Sequence, residues 1–155
     1  MVYRYDTLPE LERSLLEGIP LARAMQLEVV EYDGHRLALS APLAPNVNDK
    51  GCAFGGSLVS LTTLAAWGLI NLKLAESGRS ASVYIQDSSV EYLAPVWDVL
   101  VAEGAAAADE SWSEFFDTLD QRGSARIRMT AEVSGAEGGM VAVRFSARFV
   151  AKAQK

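Results

Sequence analysis

Residues 46 to 57 read Asn-Val-Asn-Asp-Lys-Gly-Cys-Ala-Phe-Gly-Gly-Ser, and the chemistry they offer is that of a polarised carbonyl. Side-chain amides at Asn46 and Asn48 and a carboxylate at Asp49 stand just ahead of the pair Gly55-Gly56. The chain then runs through Leu58, Val59, Leu61, Leu64, Trp67, Leu69, Ile70 and Leu72, apolar on nearly every side of a helix. Such a helix has to be enclosed. Its first turn therefore carries backbone N–H groups into the protein, where each needs an acceptor or a ligand. Two glycines let a ligand come close to that backbone. A helix N-terminus of this kind suits an acyl carbonyl whose oxygen becomes an anion. The plain alternative for the glycine pair is a tight turn ahead of a core helix.

Other reactive side chains are few. His35 is the only histidine, and it lies in the Asp33-Gly34 hairpin, away from the glycine pair, so a Ser-His-Asp or Cys-His relay is not expected. Cys52 is close to the glycines but has no imidazole to ionise it, and a small loop filler is the expected role. Asp49, Asp87 and Asp98 stand alone, and no Cys/His spacing fits a metal, so no metal and no cofactor are expected. No glycine-rich loop has nucleotide-binding spacing; Gly135 to Gly139 reads as a hairpin turn. Ser57, Ser60, Thr63 and Asn71 fall along one stripe of the helix, either bonded to backbone or lining the mouth of an acyl tunnel.

The elements that must position these groups follow from periodicity. Thr7-Leu-Pro-Glu10 is a capping box for a helix bearing Leu8, Leu11, Leu15 and Leu16, which Gly18 ends. Pro20 to Met25 makes one more short turn. Strands at 27–32 and 37–41 flank the hairpin signal Asp33-Gly34. The enclosed helix runs from about Ser57 to Glu76, with Gly78 as its stop. Ala81, Val83 and Ile85 share one face and Val90 and Tyr92 the opposite parity, which predicts a bulge near Asp87 to Ser89 and turns Asp87 toward a cleft or toward a structural partner. A strand over 98–108 follows. A capping box at Ser111 opens a short aromatic helix, and clean alternation marks strands at 125–133 and 141–149. Three joins are too short for parallel crossovers. The expected architecture is α+β: a long central helix wrapped by a curved antiparallel sheet of about six strands, in a single domain spanning 1–155.

Composition bounds the partners. The chain has 155 residues, is 50% hydrophobic and 22% charged, and carries a net charge of −6, which argues against a general nucleic-acid partner. Arg122, Arg126 and Arg128, and Arg144, Arg148 and Lys152, cluster at mostly even spacing. A solvated outer sheet face is expected of them, with binding of a ligand's phosphates as the sharper alternative. The stretch Leu64 to Leu74 is too short to span a bilayer, the N-terminus lacks a signal-like apolar run, and one cysteine fits a reducing compartment. A cytoplasmic protein with no membrane partner is expected.

Asn48-Asp-Lys-Gly51-Cys-Ala-Phe54-Gly55-Gly56 resembles the pattern of the hotdog-fold thioesterases, in which Asn, Gly and then His-Gly-Gly open the central helix. Ala53-Phe-Gly-Gly-Ser-Leu58, Trp67-Gly68 and Gln86-Asp-Ser-Ser-Val-Glu-Tyr-Leu-Ala-Pro95 resemble in particular the thioesterase-like domain found free-standing or C-terminal to GNAT-type acetyltransferases. The resemblance implies a hotdog domain over roughly Leu16 to Val150. It also implies a homodimer or dimer of dimers with shared sites, and an acyl-CoA or acyl-carrier-protein thioester as substrate. It makes Gly55 the N–H donor to the thioester carbonyl, Asn48 the group orienting substrate or water, and Thr63 a residue serving the partner's loop. Phe54 stands where many relatives have His, and Thr63 is a weaker base than a carboxylate, which leaves Asp49 as the best local base.

The expected site is thus Asn48, Asp49, Gly55 and Thr63 for the reaction, with Asn46, Phe54, Gly56, Ser57 and Ser60 holding the substrate. Two functions fit it: a thioester hydrolase, or a non-catalytic acyl-thioester binding module serving an enzyme such as an acetyltransferase. A pocket-facing Asp49 favours the first and a solvent-facing one the second.

Overall fold

A computed structural model describes residues 8–135 and 139–154. Thr7, and with it the first capping box, falls outside them, as does the middle of the Gly135–Gly139 turn. Leucines at helical spacing form α1 (Leu8–Gly18), and α2 (Pro20–Met25) follows with its proline in the first turn. β1 (Glu28–Tyr32) and β2 (Arg36–Ala41) form the expected hairpin. Its turn is fixed by the Asp33 carboxylate, which accepts from the N–H groups of His35 (2.8 Å) and Arg36 (2.7 Å), with Gly34 at φ +92°.

The central helix α3 spans Gly55–Glu76. It starts two residues earlier than the periodicity predicts, because Phe54 takes the extended N-cap conformation and both glycines enter the first turn. β3 (Ala81–Tyr92), β4 (Leu100–Ala106), α4 (Trp112–Arg122), β5 (Ser124–Ser134) and β6 (Val141–Ala153) complete the chain. Ser111 caps α4, accepting from Glu114 N–H at 3.3 Å.

The six strands make one antiparallel sheet in the order β1-β2-β4-β5-β6-β3. α3 packs against β2, β3, β4, β5 and β6. Leu61, Leu69 and Ile70 of the helix are fully buried against Leu37, Leu39, Leu100, Ile127, Phe145 and Phe149 of the sheet. α3 is long and apolar enough to cross a bilayer by length and composition, with a mean hydropathy of 1.4 over its most apolar window, yet 67% of that window is covered by the rest of the protein. Two glycines set how near helix and sheet lie. A Cβ on Gly104 would stand 2.8 Å from the Ala65 carbonyl, and one on Gly68 would stand 2.9 Å from Leu37 Cδ2. The Trp67 indole N–H donates to Val83 O at 3.0 Å and ties the helix to β3.

β3 is an edge strand. Its pairing with β6 shifts register between Ile85 and Asp87, one residue ahead of the expected bulge. Ile85 pairs with Phe149 before it, and Val90 and Tyr92 pair with Phe145 and Val143 after it, so the three share a sheet face although Ile85 and Tyr92 stay about half exposed.

Candidate active site

The loop between β2 and α3 is built on Asn46. The Asn46 side chain is 2% exposed, and its Nδ2 donates to Pro42 O (2.7 Å) and Met25 O (3.0 Å). Its own carbonyl accepts from Phe54 N–H at 2.7 Å. Above that base the chain folds back on itself. Asn48 N–H donates to Cys52 O (2.7 Å), Gly51 turns at φ +89°, and Ala53 N–H donates to Val96 O (2.8 Å). The entry into α3 is therefore held from both sides. Asn46, expected to hold the substrate, is instead part of this frame, because both of its amide protons point at backbone carbonyls inside the protein. Its Oδ1 has no partner among the described residues.

α3 then opens with Gly55, Gly56 and Ser57, all half-buried. The first intrahelical bond is Leu58 N–H to Phe54 O at 3.1 Å, and nothing among the described residues accepts from the three N–H groups before it. At Gly55 the atoms nearest to where a Cβ would stand are those of the Tyr92 ring edge and hydroxyl, at 3.5 to 3.7 Å, an ordinary contact distance. Gly56 is different, since a Cβ would fall 2.3 Å from Phe54 Cε2, so the Phe54 ring lies directly over it. Phe54 is 54% exposed and Tyr92 55% exposed, and the two form aromatic walls around the glycine pair. The Tyr92 hydroxyl donates to Gly55 O at 3.2 Å.

Asn48 is half-buried, with Nδ2 donating to Cys52 Sγ at 3.2 Å and Oδ1 accepting from Lys50 N–H at 2.8 Å. Cys52 is 7% exposed, which fits a loop filler. Asp49 faces solvent: its side chain is 81% exposed and pairs with Lys50 Nζ at 3.0 Å. Along α3, Ser60 and Thr63 donate to Gly56 O and Val59 O, each at 2.7 Å, and line a shallow depression of about 200 Å³ with Ile19, Leu21, Val59 and Leu64. For Ser60 and Thr63 the backbone-bonded reading of the stripe is the one observed, and the same two residues edge an apolar hollow. Asn71 is buried away from it, donating to Trp67 O at 2.9 Å.

Larger depressions of about 330 and 460 Å³ lie on the outer face of the sheet and include none of these residues. Of the clustered basic residues, Arg128 and Arg148 line the larger of the two, and four of the arginines are matched on the spot. Arg148 pairs with Asp87, Arg128 with Asp109 and Glu110, and Arg144 with Glu132. Arg126 Nε donates to Gln86 Oε1 at 2.9 Å. These arginines hold the carboxyls of Asp87 and Asp109 below the usual aspartate range, chiefly by direct hydrogen bonds. A guanidinium so engaged is a poor phosphate ligand, so the outer-face reading of the basic residues stands and Asp87 is a structural partner. Among the described residues no group of three His, Cys, Asp or Glu side chains is arranged to hold a metal.

The sequence does not point to Tyr92 as a neighbour of Gly55, because 37 positions separate the two and only the fold brings them together. The one available signal is parity: once the bulge is placed, Tyr92 shares a sheet face with Val90 at the end of β3.

A long apolar helix inside a curved six-stranded antiparallel sheet, with unpaired N–H groups at its start, defines the hotdog thioesterase class. Residues 8–153 match the family model described as "Putative thioesterase (yiiD_Cterm)", and the chain belongs to that family. A protein of unknown function from Chlorobaculum tepidum is 31% identical, with a TM-score of 0.88 over 94% of both chains. A "putative thioesterase" from Shewanella oneidensis is 25% identical, with a TM-score of 0.83 over 94% of this chain and 96% of its own. A thioesterase from Haemophilus influenzae, 15% identical with a TM-score of 0.73 over 99% of this chain and 96% of its own, shares the fold.

Proposed function

We propose that the protein hydrolyses the thioester of an acyl-CoA or acyl carrier protein, with the carbonyl oxygen held by the N–H of Gly55. The observation that carries this is the unpaired first turn of α3, open at Gly55 and walled by Phe54 and Tyr92. An oxyanion there meets backbone donors that need no reorganisation, at the positive end of a 22-residue helix. Gly56 and Ser57 continue the donor turn, and the hollow beside Ser60 and Thr63 receives the start of the acyl chain. Asn48 and Thr63 handle the attacking water, joined by Asp49 where a second copy of the chain encloses the loop.

That second copy is part of the proposal. β3 is twelve residues long, its outer edge has no covering element among the described residues, and Tyr84 and Ile85 are exposed on it. Such an edge is satisfied by pairing with another sheet. A homodimer, or a dimer of dimers, sets each loop against its neighbour.

The non-catalytic binding reading has one observation in its favour: Asp49 points to solvent in the single subunit. A panel of acyl-CoAs and acyl carrier proteins assayed by free-thiol release separates the two. Turnover on any member supports hydrolysis. Tight binding of the panel with no thiol release supports the binding module.

A further inference from the structure

We propose that Phe54 is the specificity-determining residue of this site. Its ring, seated on Gly56, sets the width of the path from the Gly55 N–H to the apolar hollow on α3, and so selects straight aliphatic acyl chains over branched and aryl ones. The inference rests on the hydrolytic reading above and adds the substrate class. The ring fills the space of the side chain that Gly56 lacks, since a Cβ there would collide with Phe54 Cε2 and Cζ. Gly56 heads the helix face that carries the hollow. At about 100° per residue, Val59, Ser60, Thr63 and Leu64, which line it, all fall within about 80° of Gly56. Gly55 lies about 100° round the helix from Gly56, and the space beside it is bounded by the Tyr92 ring, 3.5 Å from where its Cβ would stand. Val59, the first residue of the hollow along α3, comes between the two, about 40° from Gly55, about 60° from Gly56 and about 4.5 Å down the axis from Gly56. A chain running from the Gly55 N–H to the hollow therefore passes along Val59, with Tyr92 on one side and Phe54 on the other.

The two walls differ in what holds them. Tyr92 stands on β3, paired with Val143, and its hydroxyl is engaged by Gly55 O. Phe54 has a fixed backbone, its N–H on Asn46 O (2.7 Å) and its O accepting from Leu58 N–H (3.1 Å). Its ring, however, is 54% exposed and rests on a residue with no side chain. The width of the path is thus set at Phe54. Beyond it the hollow, of about 200 Å³, is aliphatic at Ile19, Leu21, Val59 and Leu64. The hydroxyls of Ser60 and Thr63 already donate to Gly56 O and Val59 O. A polar group on the acyl chain would give up water there and find both lining hydroxyl protons taken. One methylene more or less in such a pocket typically discriminates about 10- to 200-fold.

The test gives hexanoyl, isovaleryl and benzoyl thioesters, on CoA and on carrier protein, to wild type, Phe54→Ala and Gly56→Ala. Wild type is expected to favour hexanoyl in kcat/KM. Phe54→Ala is expected to lower the hexanoyl-to-isovaleryl and hexanoyl-to-benzoyl ratios by about tenfold or more. Gly56→Ala keeps the ring but drives it off its seat, and the ratios should move in the same direction. Melting curves check that both variants are folded, and Phe54→Leu replaces either one that is not. A second readout is independent of turnover: calorimetric affinities for the three ketone analogues in which CH₂ replaces the thioester sulfur. Hydrolysis with no preference for hexanoyl, or with ratios unchanged in the variants, would overturn the role of Phe54 and leave the hydrolytic reading in place. Binding without thiol release would overturn hydrolysis instead, and the affinity ratios would then decide Phe54 by the same criterion. Binding of none of the three would overturn both.

Discussion

Gly55 is the residue where function and fold separate most cleanly. The nearest atoms to a Cβ there are those of Tyr92, at an ordinary contact distance, and its backbone angles suit any residue, so Gly55→Val is expected to fold normally. It blocks approach to the N–H, and turnover on the best thioester is expected to drop by about 10²–10³, read beside an unchanged melting curve. Retained activity in a folded variant would move the site elsewhere. Gly56→Ala is the contrasting case, because its methyl displaces the Phe54 ring and widens the approach. At Asp49 the geometry of one subunit and the chemistry of the loop point in different directions. On the proposed hydrolytic reading, Asp49→Asn is expected to cut turnover about 10²-fold with acyl-CoA affinity nearly unchanged. Cys52→Ala is expected to be nearly silent, since the thiol is buried against Asn48 Nδ2. The reverse ranking would mean covalent catalysis at Cys52.

Among the elements, α3 and β4 approach so closely that their contact leaves no room for a methyl group. Gly104→Ala places a carbon 2.8 to 2.9 Å from backbone atoms of Ala65 and Ala66, which no side-chain rotation relieves. A loss of about 1–3 kcal/mol is expected, the usual scale for overpacking, measured by urea unfolding. Gly104 was not singled out in the sequence, where it sits in a strand of small residues, and only the packed helix shows why it is needed. The bulge in β3 was legible, because Ile85 and Val90 cannot share a face without an extra residue between them. So was the entry into α3, since glycines followed by an apolar run have few other uses. Asn46 is counted among the substrate-holding residues as one of the amides ahead of the glycine pair, and nothing local indicates that Met25 O and Pro42 O converge on it. The partners of the arginines were likewise hidden, although their common face was evident from even spacing.

For the whole molecule the first expectation concerns mass: light scattering should give at least twice the 16.7 kDa of one chain, and a monomer at micromolar protein would remove the shared-site model. The second concerns pH. Asp87 and Asp109, held low by their arginines, stabilise the fold above the ordinary aspartate value of about 3.9 and lose that contribution as pH falls through their folded values. Tyr32 works in the opposite sense. Its hydroxyl is raised above the usual tyrosine value by burial and then by its hydrogen bond to Glu76, so the unfolded chain ionises first. Its contribution is full below about pH 10 and fades above it, and Tyr32→Phe should flatten the alkaline limb of stability against pH. The strand order has a last consequence, for the life of the chain as it is made. Among the described residues β3 has a single strand neighbour, β6, synthesised only after β4, α4 and β5. Until residues 141–153 have emerged from the ribosome, a twelve-residue strand has two open edges and α3 lacks part of its cover. Nascent chains of this protein therefore pass through a stage open to mispairing with one another, and a stop codon just before Val141 strips two strands of their pairing rather than one.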